Sequence, residues 1–262
     1  MKNFILFCYL FCSGFILSSI EIADGNHVIE GKWKVLKNIK INELTIRHLR
    51  QVKGEKSDIC VSGHLDVIDL VGPINQDTAD IMERILSTPS NRCRIKGEPP
   101  SYSECKEAGY SGNFCERITK GPNVEFPIEV YMSSGGGLLK SGFELGKILN
   151  KYNTGTIIPW HSTCASSCAT AFLGGNFRAM SPDSSILFHA PYNYGKGKSS
   201  KDNKIVCQTK NPELEKYMID VLGLKDGKKV YERTMDYCDS RGGWELNPDA
   251  ALMYNITMKT LN

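Results

Sequence analysis

Residues 164 to 175 read CASSCATAFLGG: two cysteines four apart, two serines between them, then small and apolar residues closed by a glycine pair. Ser166 and Ser167 bring a nucleophile type to the start of a helix-like run, where small neighbours leave room for a substrate carbonyl. Two further segments carry the complementary chemistry. SSGGGLLKSGFELGKIL (133 to 149) leads three glycines into a helix-like pattern and offers free backbone N–H groups to a developing anion. SILFHA (185 to 190) ends a strand-like run with His189, the residue type suited to a general base near neutral pH. Taken singly, these are a turn, a cap and a histidine beside a proline; their order along the chain points to acyl transfer.

The elements around them must place all three on one edge. HLDVIDLVG (64 to 72), IEVYMS (128 to 133), GTIIPW (155 to 160) and SILFHA are rich in branched apolar residues and bounded by Gly or Pro, as strands are. Between them, 76 to 87 opens on capping residues and puts Ile81, Met82, Ile85 and Leu86 on one face. Residues 138 to 152 do the same with Leu138, Leu145, Ile148 and Leu149. PELEKYMIDVLGL (212 to 224) and NPDAALMY (247 to 254) read as later helices, the second with an Asn247 cap and Pro248 in its first turn. Strands alternating with helices predict an α/β fold with right-handed crossovers and a mostly parallel sheet.

Residues 1 to 22 have the layout of a secretory leader: Lys2, an uncharged apolar stretch from Phe4 to Leu17, then small residues. The apolar stretch is shorter than the roughly 20 residues of a spanning helix, so no stable membrane anchor is expected after its removal. Residues 23 to 262 suffice for a single domain. Of ten cysteines, Cys8 and Cys12 fall in the leader, and Cys60, Cys93, Cys105, Cys115, Cys164, Cys168, Cys207 and Cys238 remain. An even number in an exported chain favours disulfides; with no CxxC or HxxxH pair, no metal and no cofactor are expected. Cys164 and Cys168 either bridge to each other across the turn or bond elsewhere, and Cys164 is expected to precede the helix. Cys93, Cys105 and Cys115 lie in a polar insertion at about 88 to 123. A net charge of +3 without a basic cluster argues against nucleic-acid binding, and GKGKSSKDNK (195 to 204) reads as a solvated loop.

GGGLLKSGFELGKIL, then ASSCATAFLGG, then ILFHAP together resemble the crotonase-like superfamily and, within it, the proteolytic subunit of the Clp protease, from about His64 to Tyr254. The chain is also similar to exported bacterial members with a Cys-x-Ser-x-Cys signature. The resemblance implies a spiral of β-β-α units and a secreted or periplasmic serine hydrolase acting on peptide or protein, with a possible homo-oligomer. It places Ser166 as nucleophile, His189 as base, and the N–H groups of Gly136 and Ser167 as the oxyanion hole. Asp239, or Asp236, would orient the histidine. Two other readings share the fold: an inactive binding or scaffolding module of the cell envelope, with Ser166 a helix cap, and a Ser-Lys peptidase resembling signal peptide peptidase A, with Lys196 or Lys198 as base.

Overall fold

The fold was read from a computed structural model, which describes residues 33–51, 66–88, 101–107, 128–194, 205–239 and 242–261. The leader, most of the 88–123 insertion, Cys60, Cys93, Cys115, Lys196 and Lys198 lie outside the described residues. The first described elements form a hairpin that the sequence patterns above do not include. β1 (Trp33–Ile41) and β2 (Leu44–Gln51) pair antiparallel around a turn in which Asn42 takes φ 52°. Asn tolerates that left-handed conformation better than most residues. β2 then pairs antiparallel with β3 (Asp66–Val71), burying Leu44, Ile46 and Leu49.

From β3 onward the main sheet is parallel. α1 (Gln76–Ser87) follows, its start fixed by a capping box in which Asn75 Oδ1 accepts from the Thr78 amide and Thr78 Oγ1 accepts from the Asn75 amide. α2 (Tyr102–Glu107) is a short helix that begins with exposed Tyr102, Ser103 and Glu104. β4 (Glu129–Ser133), α3 (Leu139–Lys151), β5 (Gly155–Ile158), β6 (Thr163–Ala165), α4 (Ser167–Phe172), β7 (Phe177–Met180) and β8 (Ser185–Phe188) come next. The chain closes with β9 (Tyr192–Tyr194), β10 (Ile205–Cys207), α5 (Pro212–Leu222), α6 (Leu224–Met235), β11 (Trp244–Leu246), α7 (Pro248–Met253) and β12 (Lys259–Thr260).

The seven-stranded sheet runs β1-β2-β3-β4-β5-β7-β12, and every pair from β3 to β12 is parallel. The structure is therefore mixed α/β with a mostly parallel sheet. Strands covered on both faces carry near-continuous burial, as in Gly155–Ile158 and Phe177–Met180. A second sheet, β11-β8-β6, stands beside the first, and β9 with β10 forms a two-stranded ribbon.

One core, from Leu44 in β2 to Ile256 near the C-terminus, joins both sheets to α1, α3, α4 and α5. α3 and α4 approach at backbone distance. A Cβ at Gly142 would stand 2.7 Å from the Ser167 carbonyl oxygen, and one at Gly174 would overlap the Gly146 carbonyl. Beyond α4, buried Arg178 donates to the carbonyls of Gly175 (2.9 Å), Ile256 (2.8 Å) and Asn255 (3.3 Å), and burial lowers its pKa to about 10. That guanidinium is solvated by the carbonyls at the end of α4 and before β12, which locks the two together.

Candidate active site

The site forms where β4, β6 and β8 end side by side. Beyond β4, the Ser134 amide donates to the Thr163 carbonyl (2.9 Å) and the Ala165 amide to the Ser134 carbonyl (2.9 Å), so the chain leaves the main sheet to pair with β6. β6 runs parallel to β8 with Ala165 opposite Leu187, and the Ser166 amide continues the ladder to the Leu187 carbonyl (2.8 Å). Register alone thus delivers Ser166 and His189 to one edge, just past the ends of neighbouring parallel strands. Both half-buried side chains line a cleft of about 350 Å³, walled also by Leu139, Phe188, Tyr192 and Leu214.

Ser166 takes φ 58° and ψ −122°, a conformation suited to glycine. For a residue with a Cβ this costs on the order of 1–3 kcal/mol, so the surroundings must hold it. Its amide is tied to β8, and its carbonyl accepts from the Thr170 amide at 3.1 Å. Cys164 and Cys168 form a disulfide across it, with Cα atoms 5.2 Å apart. Cys164 lies in β6, ahead of the helix as the spacing predicts, and both cysteines are fully buried. The sharp turn lifts the Ser166 side chain toward the cleft while α4 runs into the core.

The glycine turn packs directly on this serine. A Cβ at Gly136, where φ is 99°, would lie 2.6 Å from Ser166 Cβ and 2.7 Å from the Ala165 carbonyl oxygen. The Gly136 amide, however, donates to the buried Ser134 hydroxyl at 3.0 Å. The neighbouring amide has the better direction. Gly136 O and Leu138 N–H both bond to Ile74, so Gly137 turns its N–H away from Ile74, and Gly137 lines the same cleft as Ser166. The Ser167 amide, at the first position of α4, has no acceptor within its helix.

His189 stacks against Tyr192, ring centroids 5.3 Å apart. Its Nδ1 lies 2.9 Å from the Ala190 carbonyl oxygen. A carbonyl only accepts, so of the two neutral tautomers this contact selects the one with the proton on Nδ1 and the lone pair on Nε2. Among the described residues no hydrogen bond joins Ser166 Oγ to the ring. Asp236 is exposed and pairs with Arg233 at 3.6 Å; Asp239 is also exposed. Their segment nonetheless reaches the site, because the Ala190 amide donates to the Tyr237 carbonyl at 2.7 Å.

Gly137, which lines the cleft, and the Ala190 carbonyl, which contacts His189, are groups that sequence reasoning did not pick out. The third glycine of Gly135-Gly136-Gly137 was the available signal for the first, whereas a backbone carbonyl leaves no signature. Cys207 and Cys238 form a second disulfide, which ties the ribbon to the chain after α6. Among the described residues no group of three or more His, Cys, Asp or Glu side chains is arranged to hold a metal ion.

No protein-family model and no curated protein matches the chain. Solved structures do. A serine-to-alanine variant of the membrane-bound stomatin-specific protease 1510-N is similar over 77% of this chain and 78% of that chain, with 16% identity and a TM-score of 0.45. A second variant of that protease, in complex with a substrate peptide, is 17% identical over 77% of this chain and 74% of that one, with a TM-score of 0.46. A variant of ClpP1 from Listeria monocytogenes is 13% identical over 75% of this chain and 91% of that one, with a TM-score of 0.44. Each is a likeness of fold.

Proposed function

We propose that the protein is a serine hydrolase acting on peptide or protein, with Ser166 as nucleophile and His189 as base. The observation that carries this reading is Ser166 itself: a non-glycine residue at φ 58° between a strand and a helix, sharing one cleft with the histidine that ends the adjacent parallel strand. In the proposed reaction His189 Nε2 takes the Ser166 proton as Oγ attacks the acyl carbon. The tetrahedral oxyanion accepts from the Ser167 and Gly137 amides, and His189 returns its proton to the leaving group. Gly137 takes the role expected of Gly136, whose amide is engaged by Ser134. The Ala190 carbonyl holds the histidine tautomer, the duty expected of Asp239 or Asp236.

The two disulfides among the described residues fit an oxidising compartment, and an exported protein is part of the proposal. Among the described residues the cleft lining carries no carboxylate and no Lys or Arg side chain.

A fluorophosphonate probe tests the reading, since it reports a base-activated hydroxyl together with an oxyanion hole. Labelling is expected on Ser166, absent in Ser166→Ala, retained in Ser167→Ala and reduced about 10²-fold or more in His189→Ala. Asp236→Asn and Asp239→Asn are expected to stay within about threefold of the unsubstituted protein. A loss near 10⁴-fold in either would return the orienting role to that acid. A folded protein that takes up no probe would favour the binding module.

A further inference from the structure

We infer that the Cys164–Cys168 disulfide is a positioning element that clamps the Ser166 backbone in its left-handed conformation, so that the reactivity of Ser166 depends on the bridge. The inference rests on Ser166 being the nucleophile for its catalytic consequence, but its conformational part stands alone. The bridge spans residues 164 to 168 and encloses the one residue of this turn whose φ is positive. It joins the middle of β6 to the second residue of α4, so the strand-to-helix turn cannot unwind about Ser166 without stretching it. A return of φ to the negative region would carry the Ser166 side chain away from its present position beside Gly136 and the cleft.

Global stability is a poor account of this bridge, because disulfides closing the shortest loops restrict the unfolded chain least. The second bridge, Cys207–Cys238, closes 31 residues and suits that purpose better. Both Cys164 and Cys168 are wholly buried, so the clamp is shielded from thiol exchange while the protein is folded. The two hydrogen bonds at the Ser166 amide and carbonyl hold its flanks, whereas the disulfide limits the distance between strand and helix.

A thermodynamic cycle on the full chain separates a clamp from a staple. Urea midpoints are measured for the unsubstituted protein, Ser166→Gly, Cys164→Ala/Cys168→Ala, and all three substitutions together. Glycine accepts the positive φ freely, so Ser166→Gly is expected to favour the bridged protein more than the unbridged one, by about fivefold or more in the unfolding constant. In parallel, removing the bridge is expected to lower the maximal rate of fluorophosphonate labelling about 10²-fold with little change in probe affinity. Additive stabilities overturn the inference, even if labelling slows, because general loosening would then explain the rate. If the alanine pair does not fold, Cys164→Val/Cys168→Ala repeats the cycle with the core volume partly restored. If the folded, bridged protein never labels, the nucleophile reading fails and the stability cycle still decides the clamp.

Discussion

At the scale of single residues the site turns on which backbone amides are already used. Ser134 Oγ accepts from the Gly136 amide inside the structure, where the serine is 6% exposed. An amide so engaged has no hydrogen left for an oxyanion, whereas the Gly137 and Ser167 amides keep theirs. Ser134→Ala discriminates between the two glycines. It leaves a buried N–H unpaired and is expected to cost about 1–3 kcal/mol of stability by urea unfolding. Labelling of Ser166 is expected to survive within about threefold, because the variant leaves the assigned donors in place. A rise in labelling on freeing the Gly136 amide would return that glycine to the oxyanion hole. Glycine is needed at 136 in either case, since any Cβ there meets Ser166.

At the scale of elements, much of the architecture was legible because its signals are local. The Asn247 cap with Pro248 marks a helix start that the structure reproduces at Pro248, and the patterns read at 76 to 87 and from 212 appear as Gln76–Ser87 and Pro212–Leu222. The strands at 128–133 and 185–190 appear as Glu129–Ser133 and Ser185–Phe188, with His189 just past the end. What escaped depends on partners distant in sequence. β1 and β2 interleave Lys and Arg with apolar residues and become a sheet edge only by pairing with β3. α6 buries little beyond Gly227, Val230, Tyr231 and Thr234, and it is split from α5 at Gly223, where φ is 86°. The Gly136-to-Gly137 shift likewise hangs on Ile74, more than sixty positions away.

β4 also carries a titration that reports on the sheet. Burial raises the pKa of Glu129 to about 7 from 4.5, partly offset by a hydrogen bond from Tyr131. The native protein therefore holds a proton that the unfolded chain releases between about pH 4.5 and 7, and Glu129 makes stability fall as pH rises through that window. At 1.36 kcal/mol per unit the whole effect is about 3 kcal/mol. Glu129→Gln is expected to flatten this part of the stability profile and to raise the urea midpoint at pH 8. An unchanged slope would show that Glu129 ionises equally in both states.

At the scale of the molecule, the cleft is assembled from regions that separate bonds hold together. The edge with Ser166 and His189 belongs to the β6–β8 sheet, while the facing wall comes from the ribbon at Tyr192 and Gln208 and from Leu214 and Thr234 on α5 and α6. The Cys207–Cys238 bridge joins that ribbon to the chain after α6, one residue from the Tyr237 carbonyl that receives the Ala190 amide. Closing 31 residues, it contributes about 3–4 kcal/mol by restricting the unfolded chain. Cys238 is exposed, in contrast to the sealed Cys164–Cys168 pair, so a phosphine reductant under native conditions is expected to open this bridge first. The wall then loosens while the edge keeps its geometry: probe affinity is expected to weaken about tenfold, and the maximal labelling rate to stay within about threefold. Cys207→Ser/Cys238→Ser should reproduce both effects without reductant. A fall in the maximal rate with affinity unchanged would instead mean that the bridge acts on His189 through Tyr237 and Ala190, and not on the cleft wall.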